Sequence, residues 1–327
     1  MKHLVLHIGA NKTGSSAIQE FLRLNADALP RFGLHVAPSD LQPGGAVTGQ
    51  HVWFMEQQLA DIPAGRRRIT NRIARLMADL KDEERLLISA ENLANPTGAE
   101  RMFVNTAKEY DTRVILYIRR QDELLLSSWQ QWESKITDDF WAWLTLGVGT
   151  RGDWRDILQA WEKIMPREKI TVRLYERPRM QDGDVVADFA SVLGLSDRLG
   201  ELQRPAGAIN PSYADALVEL VKGNTAVFRD KHDNDFYNMV EQLTGDRYHR
   251  NPRESVITFE QRSAILERYR ESNEWVRARY FADTPVLFEP PTEADYVLLS
   301  PSKLSKQKSE IVSSLLFTLA KRVLAEE

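Results

Sequence analysis

The 327-residue chain predicts a three-layer α/β fold, a central parallel sheet of about five strands flanked by helices, with a helical C-terminal region beyond it. Three observations carry this. Short apolar runs alternate with segments of helical periodicity through the first half of the chain. Each run ends in a polar or glycine-bearing cluster, as strands do where they feed a βα loop. The last stretch, 305–326, spaces its apolar residues for a helix.

In chain order, Leu4-Val5-Leu6-His7-Ile8 reads as a buried strand that breaks at Gly9. A helix over 16–29 follows, with Ile18, Phe21 and Leu22 inward, and Pro30 stops it. Residues 33–37 form a second strand. The Pro-, Gly- and Ser-rich stretch 38–50 is a loop leading to His51 and the segment Val52, Trp53, Phe54, Met55. Residues 66–81 are helical, through Ile69, Ile73, Leu76, Met77 and Leu80. Strands follow at 85–89 and 113–118, separated by the turn Asn95-Pro96-Thr97-Gly98 and a helix over 100–110. The second of these strands leads into Arg119-Arg120 and a helix over 123–132. Residues 153–165 and 185–195 are helices around a fifth strand at 169–175, and 213–222 and 260–280 are further helices. Ile311, Leu315, Leu316, Leu319 and Val323 form the apolar side of the last one, which is expected to pack back on the domain.

Composition narrows the function. A net charge of -4 gives no basic field for nucleic acid. Cysteine is absent, which removes disulfides, thiol catalysis and Cys-based zinc sites. The first apolar run is too short for a secretory signal, and no run approaches the ~20 apolar residues of a membrane span. The expectation is a cytoplasmic protein without a membrane span. An oligomer is compatible with it.

The most informative stretch is Leu4 to Leu22, LVLHIGANKTGSSAIQEFL. A strand, a glycine turn and a helix N-terminus present backbone N–H groups and a positive dipole end to an anion. Lys12 adds charge, and Ser15 and Ser16 add hydroxyls. Gly9 and Gly14 keep the spacing of the G-x-x-x-x-G-K-[ST] phosphate loop, but Ser15 stands at the lysine position and the lysine has moved to 12. Arg119 and Ser127 form a second candidate. They are arranged strand-Arg-turn-helix-Ser, and a guanidinium fork and a hydroxyl suit one phosphate. All these motifs lie at carboxyl ends of predicted strands, where parallel sheets bind ligands.

The loop Gly9 to Ser16 and the stretch Ile118 to Gln130, IRRQDELLLSSWQ, together resemble the two phosphate-binding elements of sulfotransferases that use 3′-phosphoadenosine-5′-phosphosulfate (PAPS). LLISAENL at 86–93, ITVRLYER at 170–177, NPSYADALVELVKGN at 210–224 and RYRESNEWVRARY at 268–280 are similar to bacterial members of that family. The resemblance spans residues 1–283. It implies a P-loop-like fold, with a sulfotransferase domain at 1–290 and a C-terminal helical extension at 291–327. It implies that Gly9, Lys12, Thr13, Gly14, Ser15 and Ser16 hold the 5′-phosphosulfate end, that Arg119 and Ser127 hold the 3′-phosphate, and that Lys12 assists departure. Arg120 and Ser128 share the same spacing. His51 or Glu91 would activate a hydroxyl or amine of a small-molecule or glycan acceptor. The product would be adenosine 3′,5′-bisphosphate, and no metal is expected. The late Arg-Lys-Gly motif of the animal cytosolic enzymes is missing, so a basic residue such as Arg270 would have to replace it.

Two rival classes remain at this stage. One is a nucleotide-dependent kinase, against which the displaced Lys12 argues. The other is a non-catalytic module that keeps the nucleotide fold. The aromatic group Trp129, Trp132, Phe140, Trp141, Trp143 and Trp154 admits sugar stacking, although the Trp129–Trp132 spacing reads first as helix packing.

Overall fold

The structure is a computed structural model describing residues 1–51, 61–94, 98–206 and 212–326. The expected Val52–Met55 segment, most of the Asn95–Gly98 turn and the start of the 210–224 stretch lie outside them. The chain divides into two compact units. The first comprises residues 1–120, 152–209 and 271–287. The second comprises 121–151, 210–270 and 288–327.

The first unit is built on five strands: β1 His3–His7, β2 Leu34–Val36, β3 Arg85–Ser89, β4 Asp111–Ile118 and β5 Ile170–Leu174. Their order is β2-β3-β1-β4-β5, and every pair is parallel. Leu4, Leu6, Leu87, Ile88, Leu116 and Ile118 are fully buried, so the sheet is covered on both faces. That explains why these strands read as unbroken apolar runs. The three-layer P-loop-like α/β fold expected from the sequence is thus the observed one.

One layer packs Ile18, Phe21 and Leu22 of the helix Ser15–Leu24 against Val186, Phe189 and Ala190 of the helix Val185–Val192. The first helix ends earlier than its periodicity suggested. Asn25 stops it, because its Nδ2 donates to the carbonyls of Phe21 and Gln203 while its Oδ1 accepts from the Gln203 N–H. Leu29 then falls in a separate 3-10 turn, Leu29–Phe32.

A buried carboxylate fastens the helix Val185–Val192 to the sheet. Asp188, with no solvent exposure, accepts from Tyr117 Oη at 2.7 Å, Arg173 Nε at 2.9 Å, a second Arg173 nitrogen and the Gln181 N–H at 3.0 Å. Burial alone would raise its pKa. The bonds from Arg173, Gln181 and Tyr117 outweigh burial and hold it below the usual carboxylate value. Asp188→Ala strands these donors, and a loss of roughly 3 kcal/mol is expected in urea unfolding. Because the folded-state pKa is depressed, the contribution is present above the usual Asp pKa. It is lost as pH falls through the lower folded value.

The second unit is mainly helical, with a two-stranded pair, Glu254–Ser255 and Val297–Leu298. The helix Gln121–Gln131 packs Leu125, Leu126 and Trp129 against Phe140, Trp143, Ile265 and Tyr269. The expected single helix over 260–280 is two, Phe259–Arg268 in the second unit and Arg270–Tyr280, which from Glu271 on belongs to the first. The break is at Tyr269, whose hydroxyl donates to the Arg151 carbonyl. Arg262 is fully buried and donates to Asp122, Glu123 and Ser255, with its guanidinium 3.7 Å from the Tyr296 ring centroid. The last helix, Pro301–Glu326, buries Ile311, with Leu304 and Leu315 partly covered. Leu316, Leu319 and Val323 do not join that face and stay exposed. The inward stripe runs through 304, 311 and 315, and Leu316 lies a further ~100° round the helix.

Candidate functional site

The site is built where β1 ends. Gly9 takes a left-handed φ of 51°, Lys12 one of 66° and Gly14 one of 81°. Gly14 is the N-cap of the helix Ser15–Leu24, and its carbonyl accepts from the N–H groups of Ala17 and Ile18. The N-terminus of this helix, the positive end of its dipole, therefore opens at the loop. Lys12 holds a left-handed conformation despite its Cβ, the kind of local strain that clusters at ligand sites.

Two glycines are required by geometry. A Cβ on Gly14 would stand 2.8 Å from the Tyr175 ring and 3.0 Å from Val185. A Cβ on Gly9 would stand 3.3 Å from Glu91 Cα. Gly14→Ala therefore meets both positive φ and collision, and should lower stability by roughly 2–4 kcal/mol in urea denaturation.

The hydroxyls of Thr13 and Ser15 both have partners within the protein. Thr13 is fully buried; its hydroxyl donates to the Ala10 carbonyl at 2.7 Å and accepts from the Ala10 N–H at 3.3 Å. It shapes the loop from within. Ser15 Oγ donates to Glu91 Oε1 at 2.6 Å, tying the helix start to the second residue after β3. Ser16, one position on, is half-buried. Burial raises the Glu91 pKa, opposed by the Ser15 bond and the nearby Lys12 charge.

Arg119, just past β4, donates from Nη1 to the Lys12 carbonyl at 3.0 Å and stacks 5.5 Å from the Tyr175 ring. Its own carbonyl accepts from the Trp154 indole at 3.2 Å. The loop, Glu91 and Arg119 thus converge within the first unit, at the carboxyl ends of β1, β3 and β4. Ser127 is buried in the helix Gln121–Gln131 of the second unit.

His51 is placed differently from Glu91. It has no exposure, and its Nε2 lies 2.9 Å from the Ala37 carbonyl. Its Nδ1 lies 3.0 Å from the Ser89 carbonyl and accepts from the Ser89 N–H at 3.2 Å. Burial lowers its pKa, so the ring is neutral. Protonated at Nε2, it bridges the ends of β2 and β3 with both nitrogens engaged. His7 is also buried and neutral, its pKa lowered to about 3 by burial, with Nδ1 2.8 Å from Ser89 Oγ and its ring edge-on to Phe189. Tyr175 is the contributor that sequence reasoning passed over. The only signal was an aromatic directly after an apolar strand. Among the described residues no cluster of His, Asp or Glu is placed to hold a metal ion.

Residues 2–207 match the model of a family described as a sulfotransferase domain. A protein of Archaeoglobus fulgidus described as uncharacterized is 28% identical over 171 residues, covering 52% of this chain and 46% of that protein. The chain thus matches less than half the length of that relative. A sulfotransferase from Alicyclobacillus acidocaldarius is a structural neighbour at 15% identity and TM-score 0.40, covering 63% of this chain and 85% of its own. Mouse sulfotransferase SULT7A1, complexed with PAP, is another at 16% identity and TM-score 0.32, covering 63% of this chain and 60% of its own.

Proposed function

The chain belongs to the sulfotransferase-domain family, and we propose that it moves a sulfuryl group from PAPS to a hydroxyl or amine of a small-molecule or glycan acceptor. The observation that carries this is the strained loop at the end of β1, with Lys12, a helix N-terminus and Arg119 gathered on it. This set has the chemistry for a phosphosulfate: two full positive charges, on Lys12 and Arg119, and a helix N-terminus. PAPS, when bound, supplies an activated sulfuryl group whose leaving oxygen belongs to a phosphate.

In this proposal Lys12 neutralises charge growing on the leaving phosphate oxygen. Gly9 and Gly14 let the backbone curl around the anion, Thr13 braces the curl, and Ser15 and Ser16 open the helix beneath it. For the 3′-phosphate, the resemblance to the family's second phosphate-binding element implies Arg119 and Ser127. The geometry favours Glu91 over His51 as the base. Glu91 keeps Oε2 available for a proton while Oε1 accepts from Ser15, and burial raises its basicity. His51, with both nitrogens on backbone groups, holds the loop after β2 against β3.

Calorimetry with adenosine 3′,5′-bisphosphate and with Mg-ATP, alongside radiolabelled transfer from PAPS into fractionated cell extract, tests the proposal. Metal-independent bisphosphate binding and labelled product are expected. Preference for Mg-ATP would replace the reading with a kinase, and bisphosphate binding with no acceptor in any fraction would replace it with a non-catalytic module.

A further inference from the structure

The second unit contains a cavity of about 450 Å³ lined by its own residues, within the range of small-molecule sites. Three aromatic rings line it: Trp129, Phe140 and Trp141. Both indoles stand edge-to-face on Phe140, at 79° and 77°. Trp129 and Phe140 are buried, whereas Trp141 is 38% exposed, an unusual setting for the largest apolar side chain.

Three carboxylates share the wall: Asp138, Asp139 and Glu219. Their commitments leave acceptor capacity over. Asp139 uses one oxygen, Oδ1, for both cap bonds to the N–H groups of Trp141 and Ala142. Glu219 pairs through Oε2 with Lys222 at 2.8 Å. Asp138 has no partner among the described residues. Against these stands one cation, Lys222, whose Nζ lies 6.0 Å from the Trp129 ring centroid. The Trp129 indole N–H, although buried, lacks an acceptor among the described residues. The cavity thus offers the exposed part of the Trp141 ring, several open carboxylate oxygens and an excess of negative charge.

We infer that this cavity binds a neutral sugar residue. A pyranose presents an apolar C–H face to an aromatic ring and a rim of hydroxyls, each both donor and acceptor. The hydroxyls donate to the carboxylates. Uronic, phosphorylated and sulfated sugars meet the surplus carboxylates and are repelled. The inference stands on the second unit alone and holds whatever the loop at β1 transfers.

The test is saturation-transfer NMR and calorimetry on the full chain with methyl glucoside, methyl galactoside, N-acetylglucosamine and cellobiose. Methyl glucuronide and glucosamine serve as charged comparisons. Binding of at least one neutral sugar is expected, weakened about tenfold in Trp141→Ala and weakened also in Asp138→Asn. Binding of adenosine 3′,5′-bisphosphate should be unchanged in both. Trp141 is partly exposed and Asp138 is exposed, so both variants should keep the wild-type urea midpoint; should Trp141→Ala unfold, Asp138→Asn carries the test. The inference is overturned if no neutral sugar binds, if both variants bind as the wild type does, if glucuronide binds equally well, or if only the amine of glucosamine is recognised.

Discussion

Lys12→Ala should fold like the parent and lose roughly 10²–10³-fold in sulfuryl transfer, the cost of removing one electrostatic contact to a developing oxyanion. The two halves of this expectation rest on different physics. Lys12 sits at a φ of 66°, where any residue with a Cβ pays a steric cost of about 1–2 kcal/mol. Alanine has the same Cβ, so the backbone strain is the same in both proteins. Lys12→Gly should remove that strain, raising the urea midpoint while losing transfer to the same degree. This opposed pair separates a functional from a structural role. A lysine present only to stabilise the loop would cost stability when removed, and glycine would not improve it. Lys12→Arg should not restore transfer fully, because a planar guanidinium does not reproduce a compact ammonium at a left-handed position. Single-turnover transfer with labelled PAPS reads the rate, and calorimetry with the bisphosphate product reads the binding. Unchanged transfer in Lys12→Ala would remove the lysine from the chemistry.

How far these features were legible in the sequence depends on whether they are local. The strand at 85–89 is found at the expected residues, and the loop after β1 is where Gly9, Gly14 and the following apolar period place it. Both are properties of consecutive residues. The helix Asp235–Thr244 was not foreseen, although Phe236, Tyr237, Met239 and Val240 have helical spacing. It lies among Asp and Asn residues that read as loop. The break at Tyr269 could not be read, since it depends on the Arg151 carbonyl more than a hundred positions away. The same limit applies at the site. Gly9, Lys12 and Gly14 declare their conformations through residue type. That Tyr175 backs Gly14 and that His51 is clamped between two strand ends are decided by neighbours remote in sequence. An imidazole and a carboxylate were both candidates for proton removal, and in the structure they differ in their hydrogen-bond partners.

That difference gives the second large effect. Glu91→Gln should lose roughly 10²–10⁴-fold in transfer, the usual worth of a positioned base, without losing stability at neutral pH. Gln can still accept the Ser15 hydrogen bond through its carbonyl oxygen, so the tie between the helix start and β3 survives. The parent carboxylate also costs stability when charged. Its folded-state pKa is raised by burial, so its favourable contribution exists below the unfolded pKa and is lost as pH rises through the raised value. A neutral amide avoids that loss, and the variant should match or exceed the parent in urea at neutral pH. Transfer by the parent should climb with pH through the raised Glu91 pKa, and this limb should vanish in the variant. His51→Ala should behave in the opposite way. It strands the Ala37 carbonyl and the Ser89 N–H, costing roughly 1–3 kcal/mol, while the folded fraction keeps bisphosphate binding and most of its turnover. Full transfer in Glu91→Gln, together with a stable but inactive His51→Ala, would move the base from the carboxylate to the imidazole. The pH profile decides independently. A buried neutral His51 with a lowered pKa would place the rising limb at its own titration, and that limb would persist in Glu91→Gln.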